Sequence, residues 1–402
     1  MPDSQGKRAF KGMRGVLKMI YLDNAATTKP DPKVIEAMLP YLKEKFGNAS
    51  SAHRLGQEAK MALDDARKVI ARSINAKDDE IVFTSGGTES NNLALKGVLF
   101  ANKEKGNHII TTKIEHSCIL NASKWLETKG YKVTYLNVDE EGFVNPADLE
   151  KAITKQTVLF SIIHGNNEIG TVQNLEELGK ICKKHKVLFH TDACQSYTKV
   201  PIDVNRQHLD LVTLNAHKIH GPKGVGALYI RSGIKITPIA HGGGQEKYRR
   251  GGTENIPGIV GFAESVKIAS SSNIRKMEKL RDILIDGILE IPGAKLNGPR
   301  DERLCNNINF SFAGVEGEAV GSYLDSSGIC VSTGSACSSA SLEPSHVLLA
   351  IGLKPEEAHG SLRFSISKYT TEEEIDRVLE LLPKILQKLR KISPIEKLIR
   401  RL

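Results

Sequence analysis

The chain has 402 residues, of which 40% are hydrophobic and 26% are charged, a composition typical of a water-soluble globular protein. This length exceeds one ordinary hydrophobic core and predicts two domains, or one large domain with a smaller one. No apolar run approaches the roughly 18–20 residues that a membrane-spanning helix requires, so we expect no transmembrane segment and no membrane partner.

The net charge of +9 is concentrated at the two ends of the chain. Residues 1–20 carry five basic side chains against Asp3, and residues 384–402 carry seven against Glu396, which leaves the body nearly neutral. A nucleic-acid-binding protein would carry its basic residues in a patch on the folded body, so this distribution argues against that class. Residues 1–19 contain no apolar signal-peptide segment and are expected to form a disordered leader or a tag, with a targeting role as the alternative.

The cysteines are scattered and form no CxxC pair, which excludes a zinc ribbon and a dense disulfide framework. They are Cys118, Cys182, Cys194, Cys305, Cys330 and Cys337. We therefore expect no metal site. Together with the missing signal peptide, the pattern predicts a cytoplasmic protein with free thiols, at least one of which could be chemically active.

From about residue 78, short β-branched runs alternate with helical patterns, which predicts a mainly parallel sheet covered by helices on both faces. The predicted strands are Ile81–Thr84, His108–Thr112, Val133–Asn137, Thr157–His164, Val187–Thr191, Leu209–Leu214 and Gly226–Ile230. Apolar residues at three- and four-residue steps predict helices at Thr88–Phe100 and Asn174–Lys184. Gly and Asn follow several strand ends, where an open α/β sheet builds its ligand crevice.

A short polar break at Ala269–Ser272 precedes a charged helical run, Ile274–Leu289. Beyond it the pattern is β-α-β with a final helix at Thr370–Lys391. We predict a large α/β domain over residues 20–270, whose first residues could pack with the small domain. Residues 271–402 are expected to form that smaller α+β domain.

Asp192 and Lys218 carry the strongest chemical signal, since each lies just past a predicted strand and both can point into one crevice. A lysine there can form a Schiff base with an aldehyde cofactor, and a carboxylate can hold a pyridine nitrogen protonated. Either residue alone would be read as a surface group or a helix cap.

One strand-end segment and two strand-end residues also fit this crevice, and each has an ordinary alternative interpretation. Ser85–Glu89 joins a strand to a helix and could bind phosphate through backbone N–H groups, although it could equally be a glycine turn. His116 could stack on a flat cofactor and relay protons, or be merely solvated. Asn167 could bind a cofactor oxygen or a substrate carboxylate, or belong to a turn.

Two residues near the end of the chain complete the set. Cys337 stands in a run of small residues, Ser332–Ser339, where a thiol could move into and out of a pocket. Arg363, on a predicted strand, suits bidentate capture of an α-carboxylate, although a surface ion pair is the ordinary reading of an isolated arginine.

Eight motifs together resemble the NifS/IscS class of cysteine desulfurases, over residues from about 20 to the C-terminus. They are YLDNAATT (21–28), GNASSAH (47–53), FTSGGTESNN (83–92), HGNNEIGTVQ (164–173), HTDACQS (190–196), AHKIHGPKGVGALY (216–229), HGGGQE (241–246) and STGSACSS (332–339). Their order and spacing are those of the family. The resemblance implies the α/β fold of the PLP-dependent transferases (aspartate aminotransferase-like), with pyridoxal 5′-phosphate (PLP) as cofactor.

The resemblance also implies a role for each matching residue. Lys218 would bind the cofactor covalently, and Asp192 would pair with its ring nitrogen. Gln195 would hydrogen-bond its phenolic oxygen, and His116 would stack on its ring. The phosphate would be bound by Gly87, Thr88, Asn215 and His217 and by Thr253 of a neighbouring subunit, which implies a homodimer. Asn167 and Arg363 would bind the substrate, and Cys337 would accept the sulfur.

The sequence departs from the family pattern at three places. Asn215 replaces the usual Ser of the phosphate site, Arg250–Thr253 reads Arg-Gly-Gly-Thr in place of Arg-Ser-Gly-Thr, and Ala49 replaces a common Pro. Because Asn can still donate a hydrogen bond, we expect an altered cofactor affinity and not a lost site.

The resemblance implies conversion of L-cysteine to L-alanine with a persulfide on Cys337, and transfer of that sulfur to an iron–sulfur scaffold protein or another acceptor. Lys218 would move the α-proton, and His116 would donate or accept a proton. An aminotransferase or selenocysteine lyase of the same fold would need no Cys337, and a silent scaffold would need no lysine–aspartate pair. Whether the sulfur serves general iron–sulfur assembly, nitrogenase maturation or tRNA thiolation stays open at this point.

Overall fold

The computed structural model describes residues 19–333 and 343–392. Its strands are β1 (Ile20–Tyr21), β2 (Ile81–Thr84), β3 (His108–Thr112), β4 (Lys132–Leu136), β5 (Thr157–Ile163), β6 (Leu188–Asp192), β7 (Leu211–Asn215), β8 (Gly226–Ile230), β9 (Ala294–Leu296), β10 (Asn307–Phe312), β11 (Ile329–Cys330), β12 (Ser332–Thr333) and β13 (Ser361–Ser365). Its α-helices are α1 (Pro32–Lys43), α2 (Arg54–Ser73), α3 (Gly87–Asn92), α4 (Val98–Ala101), α5 (Ser117–Glu127), α6 (Pro146–Ala152), α7 (Leu175–His185), α8 (Ile256–Lys267), α9 (Ser271–Leu289), α10 (Gly317–Ser326), α11 (His346–Ala350), α12 (Pro355–His359) and α13 (Glu372–Ile392). The expected leader therefore lies outside the described residues except for Met19, and so do residues 393–402 of the basic C-terminal stretch.

A seven-stranded sheet in the order β2-β8-β7-β6-β5-β3-β4 forms the centre of the fold. Only β8 runs antiparallel to its neighbours, so the sheet is mainly parallel as predicted. All seven predicted strands are found, with ends that differ by at most two residues. Every residue of β5 is buried, because helices cover both faces of the sheet.

The helices follow their predicted amphipathic patterns, with one local departure. The Asn174 side chain caps α7 by accepting from the backbone N–H of Glu177 at 3.3 Å, and Leu178 and Cys182 face the core. The helix predicted at Thr88–Phe100 contains a π-helical turn, Leu93–Gly97, between α3 and α4. Sequence periodicity does not distinguish such a turn from the α-helix around it.

A second sheet, in the order β12-β13-β10-β9, packs against α9, α10 and α13. Its core includes Phe310 and Leu362, and also Ile20 and Leu22 from the start of the described chain. β1 pairs in parallel with β11, which brings the first described residues beside this sheet, as the sequence analysis allowed. The boundary placed at residues 270 and 271 falls between α8 and α9 and stays a prediction.

Within residues 19–333 and 343–392, no helix combines the length and hydropathy needed to cross a membrane.

Candidate active site

A pocket opens where the carboxyl ends of β5, β6 and β7 meet, the place where open α/β sheets bind ligands. It is lined by Ala25, Ala26, Gly87, Thr88, Asn91, His116, Cys118, Ile163, Asn167, Asp192, Cys194, Gln195, Asn215, His217, Lys218 and Arg363. The structure therefore brings together ten of the residues selected from the sequence. Parallel strands explain this convergence, because residues that follow them lie at one edge of the sheet.

Lys218 supplies the only amine among the described residues that line this pocket. Its Nζ donates to the backbone oxygen of Ala26 at 2.7 Å and also to that of Ala25. The Gln195 side chain donates to the same Ala25 oxygen at 2.9 Å. The N-terminal segment at Ala25–Ala26 thus holds the lysine and the glutamine in one place, a role that the sequence analysis missed.

Lys199 connects the loop after β6, which carries Gln195, to the loop after β7, which carries Lys218. Its Nζ donates to the backbone oxygen of Gln195 at 2.8 Å and to that of Lys218 at 3.2 Å. Burial lowers the pKa of Lys199 to about 8. Sequence reasoning missed this residue because both of its acceptors are backbone atoms, which leave no trace in a motif.

Asp192 is 3% exposed, and the surrounding loops satisfy its carboxyl group. Oδ1 accepts from the backbone N–H of Cys194 at 2.9 Å, and Oδ2 accepts from the Asn91 side chain at 2.7 Å. A buried carboxyl group needs such donors, because burying it without them costs on the order of several kcal/mol of free energy. Asn91 was also missed, although it lies three residues after Thr88 and so on the same side of α3.

His116 is the N-cap of α5. Its Nδ1 accepts from the backbone N–H of Cys118 at 3.2 Å and lies 3.0 Å from the Cys118 sulfur. Burial lowers the pKa of the imidazole, so the ring is neutral near pH 7. His217 is fixed differently, by a 3.2 Å contact between Nδ1 and the Thr27 hydroxyl, and burial lowers its pKa to about 4.

The strand-to-helix turn before α3 depends on two glycines for different reasons. Gly86 has φ +152° and ψ −176°, a conformation that only glycine adopts readily. A Cβ on Gly87 would lie 2.5 Å from the Cys194 sulfur. Beside this turn, the Oδ1 atom of Asn215 is buried without a hydrogen-bond partner in the described structure.

Arg363 lies in the middle of β13 and is 2% exposed. Nη1 donates to the backbone oxygen of Asn167 at 3.0 Å, and Nη2 pairs with Asp23 at 2.9 Å. Its Nε is buried without a partner among the described residues. The guanidinium therefore belongs to the pocket wall and is not the surface ion pair that an isolated arginine would suggest.

Comparison with known proteins identifies the relatives of this chain. The family model described as aminotransferase class-V matches residues 20–378. A cysteine desulfurase IscS from Dictyoglomus turgidum is 54% identical over 379 residues, which is 93% of this chain and 96% of that protein.

The chain belongs to the class-V aminotransferase family.

Two solved structures place this class-V aminotransferase more narrowly. A NifS-like protein matches with a TM-score of 0.87 at 41% identity, over 92% of this chain and all of the other. SspA in complex with cysteine matches with a TM-score of 0.80 at 39% identity, over 88% of this chain and 100% of that one. The resemblance to the NifS/IscS class and the α/β PLP-transferase fold is thereby confirmed.

Two selected residues are not among the described residues that line this pocket. Thr253 is exposed and lies outside the lining, and Cys337 lies outside the described residues. Two cysteines that were not selected, Cys118 and Cys194, line the pocket. Cys330 lies in β11, and its side chain is partly exposed because it alternates with the buried Ile329.

We predict that Gly86→Ala weakens the binding of PLP, the cofactor expected from the sequence, by about tenfold or more. A side chain there costs roughly 1–3 kcal/mol of backbone strain, which falls on the turn that leads into the pocket. Titration of cofactor-depleted protein with PLP measures the effect. Gly130→Ala is the control, because Gly130 also has positive φ (83°) but lies in the turn between α5 and β4 and does not line the pocket. Equal affinities in the two variants would contradict the prediction.

Proposed function

We propose that this chain is a PLP-dependent cysteine desulfurase that converts L-cysteine to L-alanine and retains the sulfur as a persulfide on Cys337. The observation that carries the proposal is the pairing of Lys218 and Asp192 in one pocket with Arg363, in a chain that is 54% identical to a named cysteine desulfurase. The pocket supplies an amine for the cofactor, a carboxyl group for its ring nitrogen and a guanidinium for the substrate.

The pocket residues fit PLP by their donor and acceptor groups. Buried polar atoms without a partner in the described structure, Oδ1 of Asn91 and of Asn215, are what a polar ligand would satisfy. The proposed cofactor-binding residues are Lys218, Asp192, Gln195, His116, Gly87, Thr88, Asn167, Asn215 and His217, with Thr253 of a partner subunit. When bound, PLP supplies an electron sink for the bonds at the substrate's α-carbon.

Substrate recognition is proposed to rest on Arg363 and Asn167. The Nε of Arg363, which has no partner in the described structure, is a donor that a substrate carboxylate would satisfy, and burial to 2% exposure would strengthen that interaction. The backbone oxygen of Asn167 fixes the guanidinium plane through Nη1, and the Asn167 side chain lines the same pocket. Lys218 is proposed to carry the proton removed from the α-carbon.

Electrostatics count against the five described cysteines as the sulfur acceptor, which leaves Cys337. Burial raises the pKa of Cys118 to about 12 and that of Cys305 to about 11, and it raises the pKa values of Cys182, Cys194 and Cys330 as well. All five described thiols are therefore protonated at neutral pH and are poor nucleophiles. The proposed thiolate of Cys337 attacks the substrate sulfur, the carbon–sulfur bond breaks, and the carbon skeleton gains the proton that completes alanine.

The position of β12, the strand that precedes Cys337 in the sequence, supports this assignment. In β12, Ser332 pairs with Arg363, whose side chain lines the pocket. Four residues lead from Thr333 to Cys337, and an extended chain spans about 3.6 Å per residue, so the tether reaches roughly 14 Å. We propose that the persulfide then passes to an iron–sulfur scaffold protein or another acceptor in the cytoplasm.

We propose that the active form is a homodimer in which Thr253 reaches the partner's cofactor phosphate. Thr253 is exposed and outside its own pocket, while Arg250, three residues earlier, is bound to Glu89 of α3 at 2.8 Å. Helix α1 also presents an exposed apolar stripe that a partner could cover. It consists of Ile35, Leu39 and Leu42, continued by Phe46, which are 47%, 39%, 61% and 70% exposed.

Lys218→Ala should lose the visible absorbance of the lysine-bound cofactor together with all release of alanine from L-cysteine. No other described side chain in the pocket has an amine that could replace it. Absorbance spectra and alanine assays measure the two effects. Lys223→Ala, an exposed lysine five residues later, should keep both. A Lys218→Ala protein with an unchanged spectrum would refute the cofactor assignment.

Cys337→Ser should bind PLP and L-cysteine with normal spectral changes but form no persulfide. Alkylation after a cysteine pulse, followed by peptide mass analysis, locates the extra sulfur. Cys330→Ser, the neighbouring described cysteine, should form the persulfide normally and lose at most some stability. Extra sulfur on a peptide other than the one with Cys337 would overturn the mechanism.

Subunit mixing tests the proposed dimer. In a hybrid of Thr253→Ala and Lys218→Ala chains, the site that keeps Lys218 would receive Thr253 from its partner. That hybrid should therefore regain about half of the wild-type activity when PLP is limiting, since one of its two sites is intact. A hybrid of His217→Ala and Lys218→Ala should not, because His217 lines its own pocket. Equal activity of both hybrids would exclude a crossing Thr253.

A further inference from the structure

Four side chains form a hydrogen-bonded chain along one wall of the pocket. The Asn91 Nδ2 donates to Asp192 Oδ2 at 2.7 Å and also to the Cys118 sulfur at 3.2 Å. The Cys118 sulfur lies 3.0 Å from Nδ1 of His116. This series of hydrogen bonds thus joins Asp192, the carboxyl group proposed for the cofactor's ring nitrogen, to His116, the imidazole proposed to stack on the ring.

The direction of each bond follows from the chemistry of the groups. The Asn91 amide must present Nδ2 to Asp192, because its oxygen would otherwise face a second acceptor. At the other end, the backbone N–H of Cys118 donates to His116 Nδ1 at 3.2 Å. A backbone N–H can only donate, so Nδ1 carries a lone pair and no proton.

The thiol between these two ends must therefore donate to the imidazole. Burial, followed by the negative field of Asp192, raises the pKa of Cys118 to about 12, so the sulfur keeps its proton at neutral pH. Because the sulfur already accepts from Asn91, its own S–H is directed to Nδ1. Two donors, the backbone N–H of Cys118 and its thiol, thus share the one lone pair of His116 Nδ1.

We infer that Cys118 and Asn91 are positioning residues that hold His116 in the tautomer with its proton on Nε2. This inference rests on the proposed function and makes the role of His116 specific. The neutral ring then has no nitrogen lone pair left for an incoming proton. His116 acts as a hydrogen-bond donor in the site, and the proton from the substrate's α-carbon goes to Lys218.

The titratable groups around the imidazole set its charge. Among the described residues, Asp192, Lys218, His346 and Cys118 act on it. Burial has the largest effect and lowers the pKa of His116, Lys218 and His346 lower it further, and Asp192 opposes them. The donors on Nδ1 also favour the neutral ring, since a protonated Nδ1 could not accept them.

The tautomer can be measured without turnover. In the full-length, cofactor-loaded protein labelled with ring-¹⁵N histidine, His116 is assigned by its loss in His116→Gln. We expect Nδ1 to show the shift of an unprotonated nitrogen and Nε2 that of a protonated one. A proton on Nδ1, or a rapid mixture of both tautomers, would overturn the inference.

Variants of the thiol separate positioning from simple structural support. Cys118→Ala removes one donor to Nδ1 and should raise the pKa of His116 by about 0.4–1 pH unit in the same NMR titration. Asn91→Ala, which leaves the Cys118 thiol without its orienting donor, should also raise the pKa of His116. Cys118→Ser keeps a donor and should restore a pKa near that of the wild type.

The outcomes also separate this inference from the function on which it rests. An unchanged His116 pKa in Cys118→Ala would overturn the positioning role, whatever the activity. Wild-type protein that releases no alanine from L-cysteine would instead refute the proposed function, and the tautomer measurement would still stand on its own.

Discussion

The burial of the Asp192 carboxyl group is the constraint on which the rest of the site depends. At 3% exposure it needs hydrogen-bond donors, and the two found among the described residues come from different parts of the chain. The backbone of Cys194 fixes the loop after β6, and Asn91 fixes α3. Because the loop brings the Cys194 sulfur against Gly87, the turn before α3 has no room for a side chain at that position. One buried group thus determines the relative placement of the proposed phosphate turn and the proposed ring-nitrogen site.

The same carboxyl group shapes the chemistry of the thiols beside it. Asp192 adds to burial in raising the pKa values of both Cys118 and Cys194. A pocket that stabilises a cationic ring nitrogen, as proposed here for Asp192, is therefore a poor place for a thiolate at Cys118 or Cys194. A desulfurase with this wall would need its nucleophilic sulfur from another cysteine, and the one proposed is Cys337, which lies between β12 and α11 in the sequence. The site can in this way keep two thiols in its wall without their competing for the substrate sulfur.

The sequence was sufficient for the sheet and for most of the residues that line the pocket. Strands such as β5 are continuous apolar runs, and motif residues such as Lys218 follow strand ends, so local patterns carry both. Contacts between distant segments were not predictable in this way. Asn91 reaches Asp192 across about a hundred positions, and Ala25 holds Lys218 through a backbone oxygen. The π-helical turn Leu93–Gly97 was missed because its periodicity differs too little from that of the surrounding helix.

Arg363 shows how substrate binding would act on this arrangement. Bidentate capture of a carboxylate uses the edge formed by Nε and Nη2. Nε has no partner in the described structure, whereas Nη2 is paired with Asp23, which is 22% exposed. An incoming carboxylate would therefore have to share or displace Asp23. Asp23 bridges to Ser365 at the end of β13, and Arg363 belongs to the same strand. The substrate's charge would therefore act first where the N-terminal segment joins the second sheet. Ala25 and Ala26, which hold Lys218, lie two and three residues after Asp23, so this ion pair connects the proposed carboxylate site to the proposed cofactor amine.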